Sequence, residues 1–443
     1  MVSRIIVALV LCASLTASAQ QTAIHYDIYQ DYKRGVELYQ TEMYAAAQKH
    51  FDMTVNQSKD LLDDQMHTYY INASFYQAAC AMELDNPGGA EAMIEFMEKN
   101  GDNPKYTVGA YYLGKHYYSK RQYDKAIEWY KEADQTSLSG RQREEMQFQL
   151  AYSYFVKKKL NEAKGIFAKM KDRQNSDYYY PANYYYGFIA LTQGKYPLAL
   201  KSFQKVSEER RYKDLVPYYI TYIYYHEGQY DELIEYAEPM IEDPNLDNYT
   251  EMNQLLGQAY FRKEKYDKAL PYLSYYISKA RKVSKEDYYQ LAFSQYQTGD
   301  YYNALENFKE LNFFKDSIGQ SAVYLMGDCH LKTGSKQEAR NAFMEASSMD
   351  YDPIIKQHAT FNYGKLSYEL KFHQIAVSSM QDYIKNYPSA DNNSEAQEIL
   401  ADALMNTNDY EKAFKVISEI QNKSSKLKNC LLYTSPSPRD PKI

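Results

Sequence analysis

Long apolar runs, cysteine, tryptophan and clustered positive charge are all scarce in this chain of 443 residues. The one apolar run, from Ile5 to Leu15, is too short to cross a bilayer, which takes about 20 residues. The four cysteines, Cys12, Cys80, Cys329 and Cys430, are too widely spaced for a C-x-x-C redox pair or a metal knuckle, so small buried thiols are expected at Cys80 and Cys329. The formal charge is −7 and no run of five basic residues occurs, so the stripe that holds a phosphate backbone is lacking and nucleic acid is excluded as a partner. Catalytic signatures are missing too. There is no H-E-x-x-H, no G-x-x-x-x-G-K-[ST], no G-x-S-x-G and no G-x-G-x-x-G. The eight histidines never pair at a spacing of three or four, and adjacent Cys329 and His330 would point to different helix faces. The chain therefore reads as a non-enzyme without metal or cofactor.

What is present is apolar residues at 45%, charged residues at 25% and 51 tyrosines against one tryptophan, Trp129. A core is feasible, and tyrosine suits half-buried surface because its ring packs while its hydroxyl reaches water or a partner. The ends read differently from the body. Arg4, the apolar run and Ala17-Ser18-Ala19 form a signal-peptide pattern over residues 1–19, which predicts export and a periplasmic or secreted mature chain in a Gram-negative-type cell. Leu11 before Cys12 argues against a lipoprotein site. Residues 430–440 read CLLYTSPSPRD, which looks like a translated sequencing-adaptor end. Residues 430–443 are thus expected to be a non-native tail, and the authentic chain to continue beyond Asn429.

Between these ends lies a repeat. In residues 112–133, YLGKHYYSKRQYDKAIEWYKEA, Gly114 is followed twelve positions later by Ala126 and sixteen later by Tyr130. The small anchor recurs at Gly35, Ala78, Gly114, Ala151, Gly187, Thr221, Gly257, Ala292, Gly327, Gly364 and Ala401, at intervals of 34 to 43 residues. Twelve positions after each come Ala47, Ala90, Ala126, Ala163, Ala199, Leu233, Ala269, Ala304, Ala339, Ala376 and Ala413. Two antiparallel helices cross closely only where both carry small side chains, so the pattern predicts one helical hairpin per period. Large residues should then ring each crossing, as Phe51, Tyr130, Phe167, Phe203, Leu273, Phe308 and Phe343 do sixteen positions after their anchors. Prolines 104, 181, 217, 244, 353 and 388 are expected between hairpins.

With a tyrosine before the second helix at Tyr44, Tyr123, Tyr196, Tyr230, Tyr266, Tyr301 and Tyr410, this grammar resembles the tetratricopeptide repeat. The resemblance spans residues 29–421 and implies an all-α fold: a right-handed α-solenoid of about eleven tandem helix-turn-helix units filling residues 20–421. It departs from the family in a spacing nearer 36 than 34, and in a degenerate second unit with Pro87-Gly88-Gly89 in its turn, read as a bend or a cap.

The resemblance further implies that first helices line a concave binding face, with positions three before, one after and four after the anchor pointing into it. Here those positions are aromatic: Tyr111 and Tyr118; Phe148, Tyr152 and Phe155; Tyr184 and Phe188; Tyr218, Tyr222 and Tyr225; Tyr289, Phe293 and Tyr296; and more thinly Tyr324, Phe361 and Tyr368. Such a groove would take a peptide or protein segment, or stack on an envelope glycan. The expected role is a periplasmic interaction scaffold in a membrane-associated complex. The alternative is the extracytoplasmic sensor region of a larger signalling protein, such as a histidine kinase.

Overall fold

The computed structural model describes residues 24–61, 63–311 and 313–420. The signal-peptide pattern at 1–19 and the tail at 430–443 lie outside the described residues. The chain divides after Glu209 into two compact units. All regular structure among the described residues is helical, in eleven hairpins.

The first unit holds five hairpins. Hairpin 1 pairs residues 24–40 with Tyr44–Ser58, and hairpin 2 pairs Asp64–Glu83 with Gly89–Lys99. Hairpins 3, 4 and 5 are Lys105–Ser119 with Tyr123–Glu132, Gly140–Val156 with Leu160–Met170, and Tyr179–Thr192 with Tyr196–Gln204. The second unit holds six. Hairpins 6, 7 and 8 are Val216–His226 with Tyr230–Ala237, Tyr249–Arg262 with Tyr266–Lys279, and Lys285–Gln297 with Tyr301–Lys309. Hairpins 9, 10 and 11 are Ser317–Lys332 with Lys336–Ser348, Pro353–Glu369 with His373–Asn386, and Asn393–Asn406 with Tyr410–Glu419.

The anchors sit where the two helices cross. A Cβ on Gly114 would stand 2.5 Å from the Tyr130 ring, on Gly35 2.7 Å from Phe51, on Gly257 2.8 Å from Leu273 and on Gly327 2.7 Å from Phe343. Each of these partners lies sixteen positions on, as the spacing predicts. Nine of the ten alanines twelve positions on, Ala47, Ala126, Ala163, Ala199, Ala269, Ala304, Ala339, Ala376 and Ala413, are fully buried, and Ala90 is 8% exposed. Gly187 and Gly364 make the same close approach, to Phe203 and Met380, and Ala151 is fully buried.

Every first helix ends in the same turn. Seven positions after the anchor the backbone is left-handed: at Glu42, Asp85, Arg121, Lys158, Gly194, Gly228, Glu264, Gly299, Gly334, Lys371 and Asn408. The next N–H donates to the carbonyl three positions after the anchor, for example Gln122 to Tyr117 at 2.8 Å and Asp409 to Leu404 at 3.0 Å. This is the Schellman closure, which satisfies a carbonyl left open by the helix end. It occurs in hairpin 2 as well, with Asn86 donating to Ala81 at 2.8 Å. The irregularity of that hairpin lies elsewhere. Its first helix is lengthened to 20 residues, and Gly88, at φ +82°, delays the second helix without moving Ala90 out of the core. With ordinary hairpins on both sides it is an insertion within the array, not a cap.

The prolines serve helix starts as often as links. Pro217 and Pro353 fall in the first turn of a helix and Pro104 caps one, where no N–H is needed, while Pro271 lies inside the helix Tyr266–Lys279. Cys80 and Cys329 are fully buried free thiols.

Hairpins join through a second regularity. Within each unit, positions five before and two after an anchor face the second helix of the preceding hairpin. Ala73 and Cys80 pack with Ala47 and Phe51, and Ala182 and Ile189 with Ala163 and Phe167. In the second unit Met252 and Ala259 pack with Leu233 and Ala237, and Ala322 and Cys329 with Ala304 and Phe308.

Candidate functional site

The ring positions on the first helices fall into three structural kinds. Rings three before the anchor lean on the second helix of their own hairpin: Phe148 on Phe167 at 5.9 Å between centroids, Tyr184 on Phe203 at 6.3 Å, Tyr289 on Phe308 at 6.2 Å and Tyr324 on Phe343 at 5.3 Å. Two members of this set are core. Tyr111 is 1% exposed, with its hydroxyl donating to the Glu145 carboxylate at 2.7 Å, and Phe361 is 4% exposed. Tyr111 is therefore withdrawn as a groove residue. Its ring packs edge-on to Tyr112 at 5.1 Å, and its hydroxyl is held by Glu145 on the first helix of hairpin 4, so the next hairpin covers it.

Rings four after the anchor close their own turn. They stand edge-on to the first residue of the second helix: Tyr118 to Tyr123 at 5.9 Å, Tyr225 to Tyr230 at 5.8 Å and Tyr296 to Tyr301 at 5.9 Å. Rings one after the anchor then reach back to the previous hairpin. Tyr152 packs on Tyr118 at 5.9 Å and Tyr123 at 6.1 Å. In the second unit Phe293 packs on Phe261 at 5.9 Å and Tyr266 at 5.5 Å. Each forms a three-ring cluster that ties adjacent hairpins together. Edge-to-face pairs of this kind contribute about 0.5–1.5 kcal/mol each beyond area burial.

In the first unit the clusters merge into a band. Tyr152 also meets Tyr185 at 5.3 Å, Phe155 meets Tyr185 at 5.1 Å and Phe188 at 5.8 Å, and Phe148 stacks on Tyr178 at 4.8 Å. Tyr184 stands 6.5 Å from Phe188. The structure thus brings Tyr118, Phe148, Tyr152, Phe155, Tyr184 and Phe188 together, all half-buried. In the second unit Tyr218 and Tyr222 adjoin at 6.2 Å and Tyr222 lies over His226 at 4.1 Å, while Tyr289, Phe293 and Tyr296 form their own run. Tyr178 and Tyr185 belong to the band as well, at positions the repeat pattern does not assign to a groove. The signal for Tyr185 was its place two before Gly187, a position the family pattern does not assign to the groove.

Hydroxyl chemistry separates the rings further. Tyr296 donates to Asp328 at 2.7 Å and Tyr289 shares a hydrogen with Ser321 at 3.1 Å. The hydroxyls of Tyr118 and Tyr152 have no hydrogen-bond partner among the described residues. Burial, and then the neighbouring Tyr152 and Tyr123, raise the Tyr118 phenol well above its ordinary value. Burial, followed by Glu145, pushes Tyr178 up to about 12. These groups stay protonated donors at any physiological pH.

Two clefts lie away from these rings. One of about 700 Å³ is flanked by Val55, Tyr70, Ser74 and Asn86, and one of about 540 Å³ by Lys356, Tyr363, Ser378 and Asp382. Among the described residues no group of three His, Cys, Asp or Glu side chains could hold a metal ion, and no helix is long and apolar enough to cross a membrane.

A family model described as tetratricopeptide repeat matches residues 321–353, which span most of hairpin 9. The same turn recurs in the other ten hairpins and the same close crossing at each glycine anchor, so the chain is an array of helical hairpins that resemble the tetratricopeptide repeat matched at hairpin 9. No curated protein matches the chain. Three solved structures that resemble it each align with less than half of it. A MamA protein does so over 43% of this chain and 98% of its own, at 15% identity and a TM-score of 0.33. MamA from Desulfovibrio magneticus RS-1 aligns over 42% and 97%, at 16% identity and 0.32. YrrB, described as a TPR protein with an unusual peptide-binding site, aligns over 43% and 92%, at 21% identity and 0.35.

Proposed function

We propose that this protein is a non-enzymatic interaction scaffold that binds a peptide segment of a partner protein along the aromatic band of hairpins 3 to 5. The observation that carries the reading is the pairing of rigid rings with unused hydroxyls. Tyr118 and Tyr152 are held by ring contacts on several sides, yet their hydroxyls have no acceptor within the described residues. A fixed aromatic surface with open donors suits capture of backbone carbonyls, because little side-chain entropy is lost on binding. The description of YrrB as peptide-binding accords with this class of partner. The signal-peptide pattern supports a periplasmic or secreted site of action. A membrane-associated complex and an envelope glycan are lesser extensions of the same reading.

Tyr118→Phe with Tyr152→Phe tests it, since only the two hydroxyls are removed. Selection of peptides on the wild-type protein, followed by titration of the double variant, should show binding weakened at least tenfold with unchanged helical circular dichroism. Unchanged affinity would sink the assignment of the band as the binding surface. Changing Tyr152, Tyr184 and Tyr222 together to Ser is a harsher form, and loss of helix signal there would mark the rings as purely structural.

A further inference from the structure

Half-buried lysines in this chain are held by oxygen partners, with one exception. Of the nine half-buried lysines among the described residues, eight donate to a side-chain oxygen, as Lys115 does to Glu83 at 2.9 Å, Lys205 to Asp172 at 3.0 Å and Lys365 to Glu395 at 2.6 Å. The ninth is Lys105, the first residue of the helix Lys105–Ser119 in hairpin 3. Its ammonium lies over the rings of Phe75 and Tyr76, 4.9 and 4.3 Å from their centroids, and has no ion-pair or hydrogen-bond partner among the described residues. Lys125, Lys159 and Lys268 also stand over a ring without an acidic partner, but they are exposed to water. Water replaces a missing partner at an exposed ammonium and does so poorly at a half-buried one. Burial accordingly lowers the Lys105 pKa from its ordinary value, and no carboxylate offsets it. The two ring faces supply part of the missing stabilisation.

The groups around this lysine are donors as well. Lys105 lines a cleft of about 340 Å³ with Thr68, Ile71, Asn72, Asn103 and Pro104. Thr68, Ile71, Asn72, Phe75 and Tyr76 follow one another at helical spacing along Asp64–Glu83, so the cleft and the two rings share one side of that helix. The Asn103 Oδ1 accepts from the Lys105 amide at 2.9 Å, which leaves its Nδ2 for another acceptor. Neither that Nδ2 nor the Asn72 amide has a hydrogen-bond partner among the described residues. No carboxylate lines the cleft. One ammonium and two amides thus border a single space that offers them no acceptor.

We propose that this cleft binds a single carboxylate, with Lys105 supplying the charge and Asn72 and Asn103 the hydrogen bonds. One cation matches a monoanion, whereas a phosphate dianion would be left half-neutralised. A small free acid and an acidic side chain of a protein partner share this chemistry. None of the three residues takes part in the ring contacts of the band, so the site stands or falls independently of the function proposed for those rings.

The test incorporates lysine labelled with carbon-13 at Cε into the full chain, where the signal lost in Lys105→Met is that of Lys105. Acetate and the peptide N-acetyl-Ala-Glu-Ala-amide should both shift this signal, and the peptide should saturate at a concentration at least about tenfold below its glutamine counterpart. Acetate saturating within about tenfold of the glutamate peptide assigns the site to a free acid, and a tighter peptide assigns it to an acidic side chain. Either result upholds a carboxylate site. Asn72→Asp, which places a fixed carboxylate in the cleft, should abolish both responses with unchanged circular dichroism. Equal saturation by the glutamate and glutamine peptides would overturn the proposal, as would a signal that neither acid moves. Inorganic phosphate saturating below acetate would overturn the choice of ligand class.

Discussion

Tyr118, Tyr123 and Tyr152 in the first unit and Phe261, Tyr266 and Phe293 in the second occupy the same three register positions, with centroid separations of 5.9 to 6.1 Å in one and 5.5 to 5.9 Å in the other. The geometry is shared and the chemistry is not. Three hydroxyls crown the first cluster and one the second. Ring packing is thus a general joint between neighbouring hairpins, whereas the number of hydroxyls on that joint varies from one hairpin pair to the next. An aromatic position on a first helix does not by itself mark a binding site; in the function proposed above, the distinguishing feature is a hydroxyl the fold leaves unused.

The comparison can be broken first at the crossings beneath the clusters. Gly114→Val should destabilise the first unit by about 3 kcal/mol, since the new side chain meets a Tyr130 ring that is fully buried and hydrogen-bonded to Gln149. Gly257→Val should cost about 1–2 kcal/mol, because Leu273 can change rotamer. Guanidinium midpoints of the two variants check the order, and equal losses would mean that the stiffness of the opposing side chain is irrelevant. Next in size, Tyr152→Ala and Phe293→Ala should each cost about 1–2 kcal/mol, as half-buried rings with similar neighbours. A large gap between them would show that the two joints are not equivalent. Smaller still, Tyr152→Phe and Phe293→Tyr should each change stability by less than about 0.5 kcal/mol, so that any effect of Tyr152→Phe on peptide affinity reports on binding alone.

The subtlest probe uses the two thiols, which hold one register position in different units. Burial, followed by Asp52 and Glu83 for Cys80 and by Asp328 for Cys329, pushes both up to about 12. A thiol with a raised folded value keeps its proton across the range where an unfolded one begins to lose it. Neither should therefore react with a disulfide reagent at pH 8 until its hairpin opens, and separate labelling rates would report the opening of each unit.

The architecture was legible from small residues alone. Gly114, Ala126 and Tyr130 announce a crossing, because close helix approach tolerates few alternatives. The groove was legible only in part. Tyr111 follows the same positional rule as Phe148 and Tyr184, yet it is buried, with its hydroxyl on Glu145 of hairpin 4, while its neighbour Tyr112 meets Tyr39 and Arg141 pairs with Glu42, both in hairpin 1. Such contacts join residues 73 and 99 positions apart, which no repeat period reveals. Likewise, nothing in the spacing of Tyr118 and Tyr123 shows that one ring closes the turn on the other.

The left-handed residue seven positions after each anchor has a consequence for how such a chain can change in length. Seven of the eleven are not glycine, so termination does not depend on one residue type; the helix is stopped by a bond to its own carbonyl. A duplicated hairpin therefore carries its own stop signal, and its neighbours need supply only a matching face. Gain or loss of whole hairpins by recombination would leave every remaining turn intact, whereas a cut through a first helix would separate the carbonyl from the amide that closes it.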